Sequence, residues 1–142
     1  MFDQVWRYDR EHGTIAIRWH DMGDMAGLSR SQVGQRHREV YGFDAQQAEQ
    51  MIWDFYNRVQ VEDVVVARRG RSFCIGIGRV VRPACFDLRR GLDRLGGLSS
   101  PYVGASFINV EWQRLSVIPV SELFAIKTLS NIGAAKYHRL FG

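Results

Sequence analysis

The sequence has little of what builds metal, cofactor or hydrolytic chemistry. Two cysteines occur, Cys74 and Cys85, with no CxxC pair and no histidine at a metal-like spacing beside them. The histidines, His12, His20, His37 and His138, are scattered, and none forms an HxE or HExxH set. There is no GxSxG elbow and no Walker lysine. No catalytic residue, metal ligand or cofactor is therefore assigned, and enzyme activity within the chain is not expected. No apolar run approaches the roughly 20 residues needed to cross a bilayer. The opening Met1-Phe2-Asp3-Gln4 lacks the basic and apolar start of a signal peptide, so a cytoplasmic location without a membrane partner is the expectation. Lysine is nearly missing too: Lys127 and Lys136 stand against 17 arginines.

What is present fits one soluble domain, residues 1–142, with 46% hydrophobic and 24% charged residues. That length can bury a core without disulfide or metal staples. Net charge is +4. Arginine offers a planar fork that suits phosphate oxygens and base edges, so the balance favours nucleic acid as partner over a neutral surface. Arginine-rich coding is the bland alternative, and position has to add the rest.

Along the chain, Val5–Tyr8 reads as a short strand. Thr14–Trp19 reads as a second, with Ile15, Ile17 and Trp19 on one face. A glycine- and aspartate-bearing loop follows from Asp21 to Gly27. Ser29 with Gln32 has the capping-box pattern, opening a helix to about Tyr41 that ends at Gly42. Asp44 with Gln47 repeats the signal in its aspartate-led version. That next helix places Ala48, Met51, Ile52, Phe55 and Val59 on one apolar stripe, with Trp53 and Tyr56 at or beyond its edges. Asp63–Ala67 is a β-branched run expected to be buried on both faces. Arg68–Arg71 reads as a turn, Ser72–Val81 as the returning strand, and Pro83 as its end. Residues 87–101 read as a long excursion, Phe107–Trp112 as a strand running toward Val117, and Ser130–Leu140 as a final helix. The order suits an α+β fold around a curved, mostly antiparallel sheet.

Gly76-Ile77-Gly78 lacks the third glycine of a dinucleotide fingerprint, and no helix pattern follows it. In a strand the two glycines bare one face, which admits a helix, another strand or a ligand; close packing is the commoner cause. Cys74, in the same run, reads as a small core residue. Trp6, Trp19, Trp53 and Trp112 each read individually as packing. Yet Trp19 ends a strand where an acidic loop begins, and Trp53 lies off its helix stripe. An exposed cleft of such rings suits an extruded base, and a methylated base of polarised character gains further from the ring quadrupole. Asp21 and Asp24 read equally as loop-capping carboxylates or as ligand contacts. Arg68, Arg69 and Arg71 in one turn, and Arg89, Arg90 and Arg94 in the excursion, are candidate phosphate contacts; an ordinary solvated surface is the alternative.

The ordered elements IAIRWHDMGDMAGLS, MIWDFYNRVQVEDVVVARRGRSFCIGIGRVV, FINVEWQRLSVIP and LFAIKTLSNI resemble the EVE-like domains of the PUA superfamily. These are relatives of YTH domains and stand at the N-termini of modification-dependent restriction proteins of the Mrr and McrB types. The resemblance implies a PUA-like curved β-barrel flanked by helices, binding DNA whose modified base is flipped into an aromatic cage. By matching motif it places Trp19, Asp21 and Asp24 at the pocket border, and Trp53 and Phe55 near its wall. The phosphate contacts that go with this reading are Arg68, Arg69, Arg71, Arg89 and Arg90. Nuclease or NTPase activity would belong to another domain or subunit. The chain departs from the pattern at Glu62, where a glycine is usual, and over residues 86–101, where a tyrosine-rich stretch is common. Two alternatives stay open: a reader of modified RNA, and a small-molecule or protein-interaction domain whose tryptophans only pack.

Overall fold

A computed structural model describes residues 2–97, 103–124 and 129–141. The chain opens with α1 (Phe2–His12), where a strand was expected over Val5–Tyr8. β-branched and aromatic residues favour strands locally, but here the inward groups follow a helical turn. Val5 packs on Leu95, Val103 and Ala105, Trp6 meets Trp112, and Asp9 is buried. Asp3 in the first turn and Arg10 and His12 in the last complement the helix dipole. Gly13, at φ 64°, turns the chain into β1 (Thr14–Ile17), whose Ile15 and Ile17 both pack on the main core.

α2 (Arg30–Tyr41) has the ends its sequence implies. The Ser29 side chain accepts from the Gln32 N–H, the Gln32 side chain accepts from the Ser29 N–H, and Gly42 caps the far end in the left-handed region. α3 (Gln46–Asn57) starts differently from expectation: Ala45 occupies the cap position and its N–H donates to Glu49 Oε2. Asp44 is drawn away instead, accepting from Arg38 Nε at 2.9 Å. Ile52 and Phe55 of the expected stripe are fully buried.

Among the described residues, five strands form one antiparallel sheet in the order β1-β4-β3-β2, with β5 (Ile118–Pro119) beside the start of β3. β2 spans Val64–Arg69, β3 Phe73–Phe86 and β4 Ser106–Arg114. The sheet curls into a half-barrel with helices against it, an α+β arrangement. β2 is an edge strand whose Val64 is more than half exposed, so the expectation of burial on both faces fails. β3 also runs on through Pro83. Between Arg82 and Cys85 the pairing with β4 slips by one residue, and such a bulge takes the proline's missing N–H out of the ladder. The excursion after β3 contains α4 (Leu88–Arg94), capped by Asp87, which accepts from the Arg90 N–H. Its remainder from residue 98, like Lys127 and part of LFAIKTLSNI, lies outside the described residues. The final helix, α5, begins at Gly133 and runs to Phe141. Among the described residues no helix is long and apolar enough to cross a membrane.

The main core gathers Ile17, Met22, Met25, Val33, Ile52, Phe55, Val80, Ile108 and Val110 between one sheet face and α2–α3. Cys74 is fully buried with Ile77 and Phe124, and burial pushes its thiol above its ordinary pKa. It packs as the sequence implied.

Glu62 has φ 81°, in the left-handed region that costs an L side chain about 1–2 kcal/mol. This is the position where the resembled domains carry glycine. Its carboxylate meets Arg79 at 3.1 Å, an exposed pair of small net value. Glu62→Gly is therefore expected to stabilise the chain by about 0.5–1 kcal/mol, after the added entropy of an unfolded glycine. A urea midpoint that fell instead would show the Arg79 pair to outweigh the backbone strain.

Candidate functional site

The pairings Ile17↔Ser106 and Phe86↔Ser106 align three strand ends in one row. Here β1 delivers Arg18 and Trp19, β4 begins, and β3 hands over to α4. Trp19 does not continue the strand. Its backbone turns to φ 73°, ψ 38°, a genuine outlier for a bulky side chain. A 3-10 turn over His20–Met22 follows, closed by the Met22 N–H donating to the Trp19 carbonyl at 3.1 Å. The Trp19 ring is half-buried against the core margin, and the Arg18 guanidinium lies 5.0 Å from its centroid.

The acidic loop is strapped to α2. Arg36 Nη1 donates to the carbonyls of Met22 and Asp24 at 3.2 and 2.7 Å. Asp24 Oδ1 accepts from the Ala26 N–H at 3.0 Å, and Asp21 Oδ1 lies 3.0 Å from His20 Nε2. Both carboxylates thus have local partners while remaining exposed at the surface. Burial pushes the Tyr41 phenol up, the Asp21 charge adds to this, and Arg18 opposes it.

Beneath the loop sits a pair that spacing arguments miss. Tyr56 Oη and Ser106 Oγ are 2.6 Å apart, joining α3 to the start of β4 across 50 residues of sequence. Burial pushes the Tyr56 phenol up; the Ser106 hydrogen bond opposes this and the Asp24 charge reinforces it. The hydroxyl therefore stays protonated at neutral pH and can donate. Only its position three residues after Trp53, on the same side of α3, could have drawn attention to Tyr56.

Trp53 is half-buried at the core margin, with the Arg58 guanidinium 5.8 Å from its ring centroid. Trp19 and Trp53 form no ring–ring contact with each other. Phe55 corrects the expectation directly: at 1% exposure it is a core residue and offers no face to a pocket. Trp6 and Trp112 are packing as well, in an edge-to-face pair 5.2 Å apart over the bare glycine face of β3.

The arginines divide. Arg89 is exposed on α4, and Arg90 donates to Tyr8 Oη at 3.3 Å while lying 4.9 Å from the Phe107 ring. Both follow the end of β3 that carries the Trp19 row. Arg94 is instead committed to the interior, where it pairs with Asp9 at 2.7 Å. Arg68, Arg69 and Arg71 lie at the other end of the 14-residue β3, around its hairpin with β2. Arg68 and Arg69 close β2, so the turn itself is shorter than expected. Arg68 donates to the Gly70 carbonyl, Arg69 to Asp3, and Arg71 to the Phe124 carbonyl. The expected phosphate contacts are thus not one cluster.

A cleft of about 670 Å³ opens between α2 and α3, lined by Arg30, Gly34, Arg38, Gln46, Glu49 and Gln50 among others. It holds none of the aromatic candidates. Its charges are already balanced, Arg30 by buried Glu49 at 3.1 Å and Arg38 by Asp44 at 2.9 Å. Among the described residues no three His, Cys, Asp or Glu side chains group as metal ligands.

Residues 2–127 match the family described as "Domain of unknown function (DUF8426)", and the chain belongs to that family. No curated protein matches it, and no solved structure does.

Proposed function

We propose that this domain reads nucleic acid, holding an extruded and modified base, on DNA in preference to RNA, against Trp19. The single observation that carries the reading is the left-handed backbone of Trp19. Strain of this kind costs about 1–3 kcal/mol and clusters at ligand clamps and switch regions. Here it presents an indole beside an arginine, two exposed carboxylates and the part-buried Tyr56–Ser106 hydroxyl pair. Rings stack on a flipped base, and polar groups read its edge. The curled sheet and its flanking helices accord with a PUA-like barrel, and no catalytic role is assigned to the chain; cleavage or translocation would belong to a partner.

Binding of the chain to matched duplexes, modified and unmodified, tests the reading. Trp19→Ala is expected to lose about 1–3 kcal/mol of affinity for the modified duplex, as base–aromatic stacking does elsewhere. Equal affinity for both duplexes, unchanged by this substitution, would sink it. Competition between ribose and deoxyribose oligonucleotides separates an RNA reader from a DNA reader. The α2–α3 cleft favours a second reading, a small-molecule domain. Ligand screening that shifts the melting temperature of the chain, with the shift lost in Gln46→Ala, would support that one instead.

A further inference from the structure

The outer side of β5 is apolar, where a strand at the surface usually turns polar side chains to water. Ile118 and Val120 pack inward on the cluster of Cys74, Ile77 and Phe124. Strand alternation therefore turns Val117 and Pro119 outward, and Phe73, opposite Pro119 in the ladder, shares their side. Val117 is 71% exposed, and Phe73 and Leu115 are each about half exposed. Two arginines border this row. Arg114 precedes Leu115, and its charge reaches Cys74 beside Phe73. Arg71, two residues before Phe73, is fixed in place by donating to the Phe124 carbonyl. At the other end of β2 the polarity is reversed. Val61 and Val64 are exposed and enclose the exposed Glu62 and Asp63. Glu62 and Glu111 flank a single guanidinium, that of Arg79, at 3.1 and 3.7 Å.

One patch is thus apolar with arginines at its border, and the other is apolar with carboxylates at its centre. Contiguous exposed apolar surface with a polar rim marks a docking site, and opposite charges across a contact steer association and fix its register. We infer that the chain binds a second copy of itself, with residues 61–64 of one copy seated on Phe73, Leu115 and Val117 of the next. In that contact Glu62 and Asp63 meet Arg71 and Arg114, while Val61 and Val64 cover the apolar row. The occupant follows from the chain itself, because one sequence carries both complementary surfaces. Neither surface includes Trp19, so self-association stands apart from base reading.

Sedimentation velocity of the full chain, followed from micromolar to near-millimolar concentration, is the test. The mass is expected to rise above that of one copy, and added salt should lower it as the rim charges are screened. Arg114→Glu and Glu62→Lys should each weaken association about tenfold or more, by setting like charges against each other. Mixing these two variants should restore it, because the intact acidic segment of the first meets the intact arginine of the second. Val117→Asp should abolish it. All three positions are exposed, and cooperative melting curves will show that the variants are folded. A single mass at every concentration overturns the inference, as does association that neither charge reversal weakens or that mixing fails to restore. Binding of anionic lipid vesicles or of another protein through Val117, by a chain that stays monomeric, overturns it too.

Discussion

Replacing Asp9 by alanine is expected to destabilise the folded chain by about 3–5 kcal/mol, the range for breaking a buried ion pair from one side. Asp9 is 5% exposed and accepts from Arg94 Nε and Nη2 at 2.9 and 2.7 Å. Thr14 Oγ1 donates to the same carboxylate at 2.8 Å. One side chain thus ties α1 to α4 and to the first residue of β1. Its removal strands a mostly buried guanidinium and leaves the buried Thr14 hydroxyl without an acceptor. A domain with about 5–15 kcal/mol of total stability has little left after such a loss. Urea denaturation followed by tryptophan fluorescence measures it, and a loss below about 1 kcal/mol would show the pair to be dispensable. Replacing both partners by apolar residues, Asp9→Leu with Arg94→Met, should recover most of the stability, since the desolvation cost of both charges then disappears.

The second large effect is expected at Gly78. A Cβ there would lie 2.6 Å from Val110 Cγ1 and 2.7 Å from the Glu111 carbonyl oxygen. The second neighbour is backbone of the paired strand and cannot swing aside. Gly78→Ala should cost at least the about 1–3 kcal/mol typical of overpacking, with near-ultraviolet dichroism reporting displacement of Trp112. Gly76→Ala should cost less, because its closest neighbour, at 2.8 Å, is the ring edge of Trp6, which α1 can carry outward, while the Trp112 ring stands farther off at 3.2 Å. Equal costs at the two positions would mean that the sheet relaxes rather than the rings. The same geometry accounts for the glycine pair: it seats two indoles, as close packing on a bare strand face implies. It also leaves Trp19 and Trp53 as the tryptophans available to a ligand.

Much of this architecture is local enough to read directly from residue order. The Ser29–Gln32 box and Gly42 define α2 because caps act within one helical turn. The stripe through Ile52 and Phe55 names the buried face of α3, and the β-branched run before Gly70 names one arm of a hairpin. The basic balance is likewise a property of composition.

Other features depend on contacts far apart in the chain. α1 is a helix because Trp6 and Asp9 find Trp112 and Arg94, the latter 85 residues away. Pro83 stays inside β3 because β4 slips one residue beside it. The Tyr56–Ser106 pair spans 50 residues, and no periodicity reaches that far.

Composition and local spacing therefore determined a basic α+β chain with aromatic and arginine-rich segments. Only the tertiary structure decided what those segments do. It sealed Phe55 in the core, seated Trp6 and Trp112 on glycine, and turned Trp19 into a strained left-handed position. It also sent the hairpin arginines to the end of β3 opposite Trp19. The physical reason is range: caps, turns and amphipathic periods act over about four residues, whereas exposure and charge grouping are set by which strands pair.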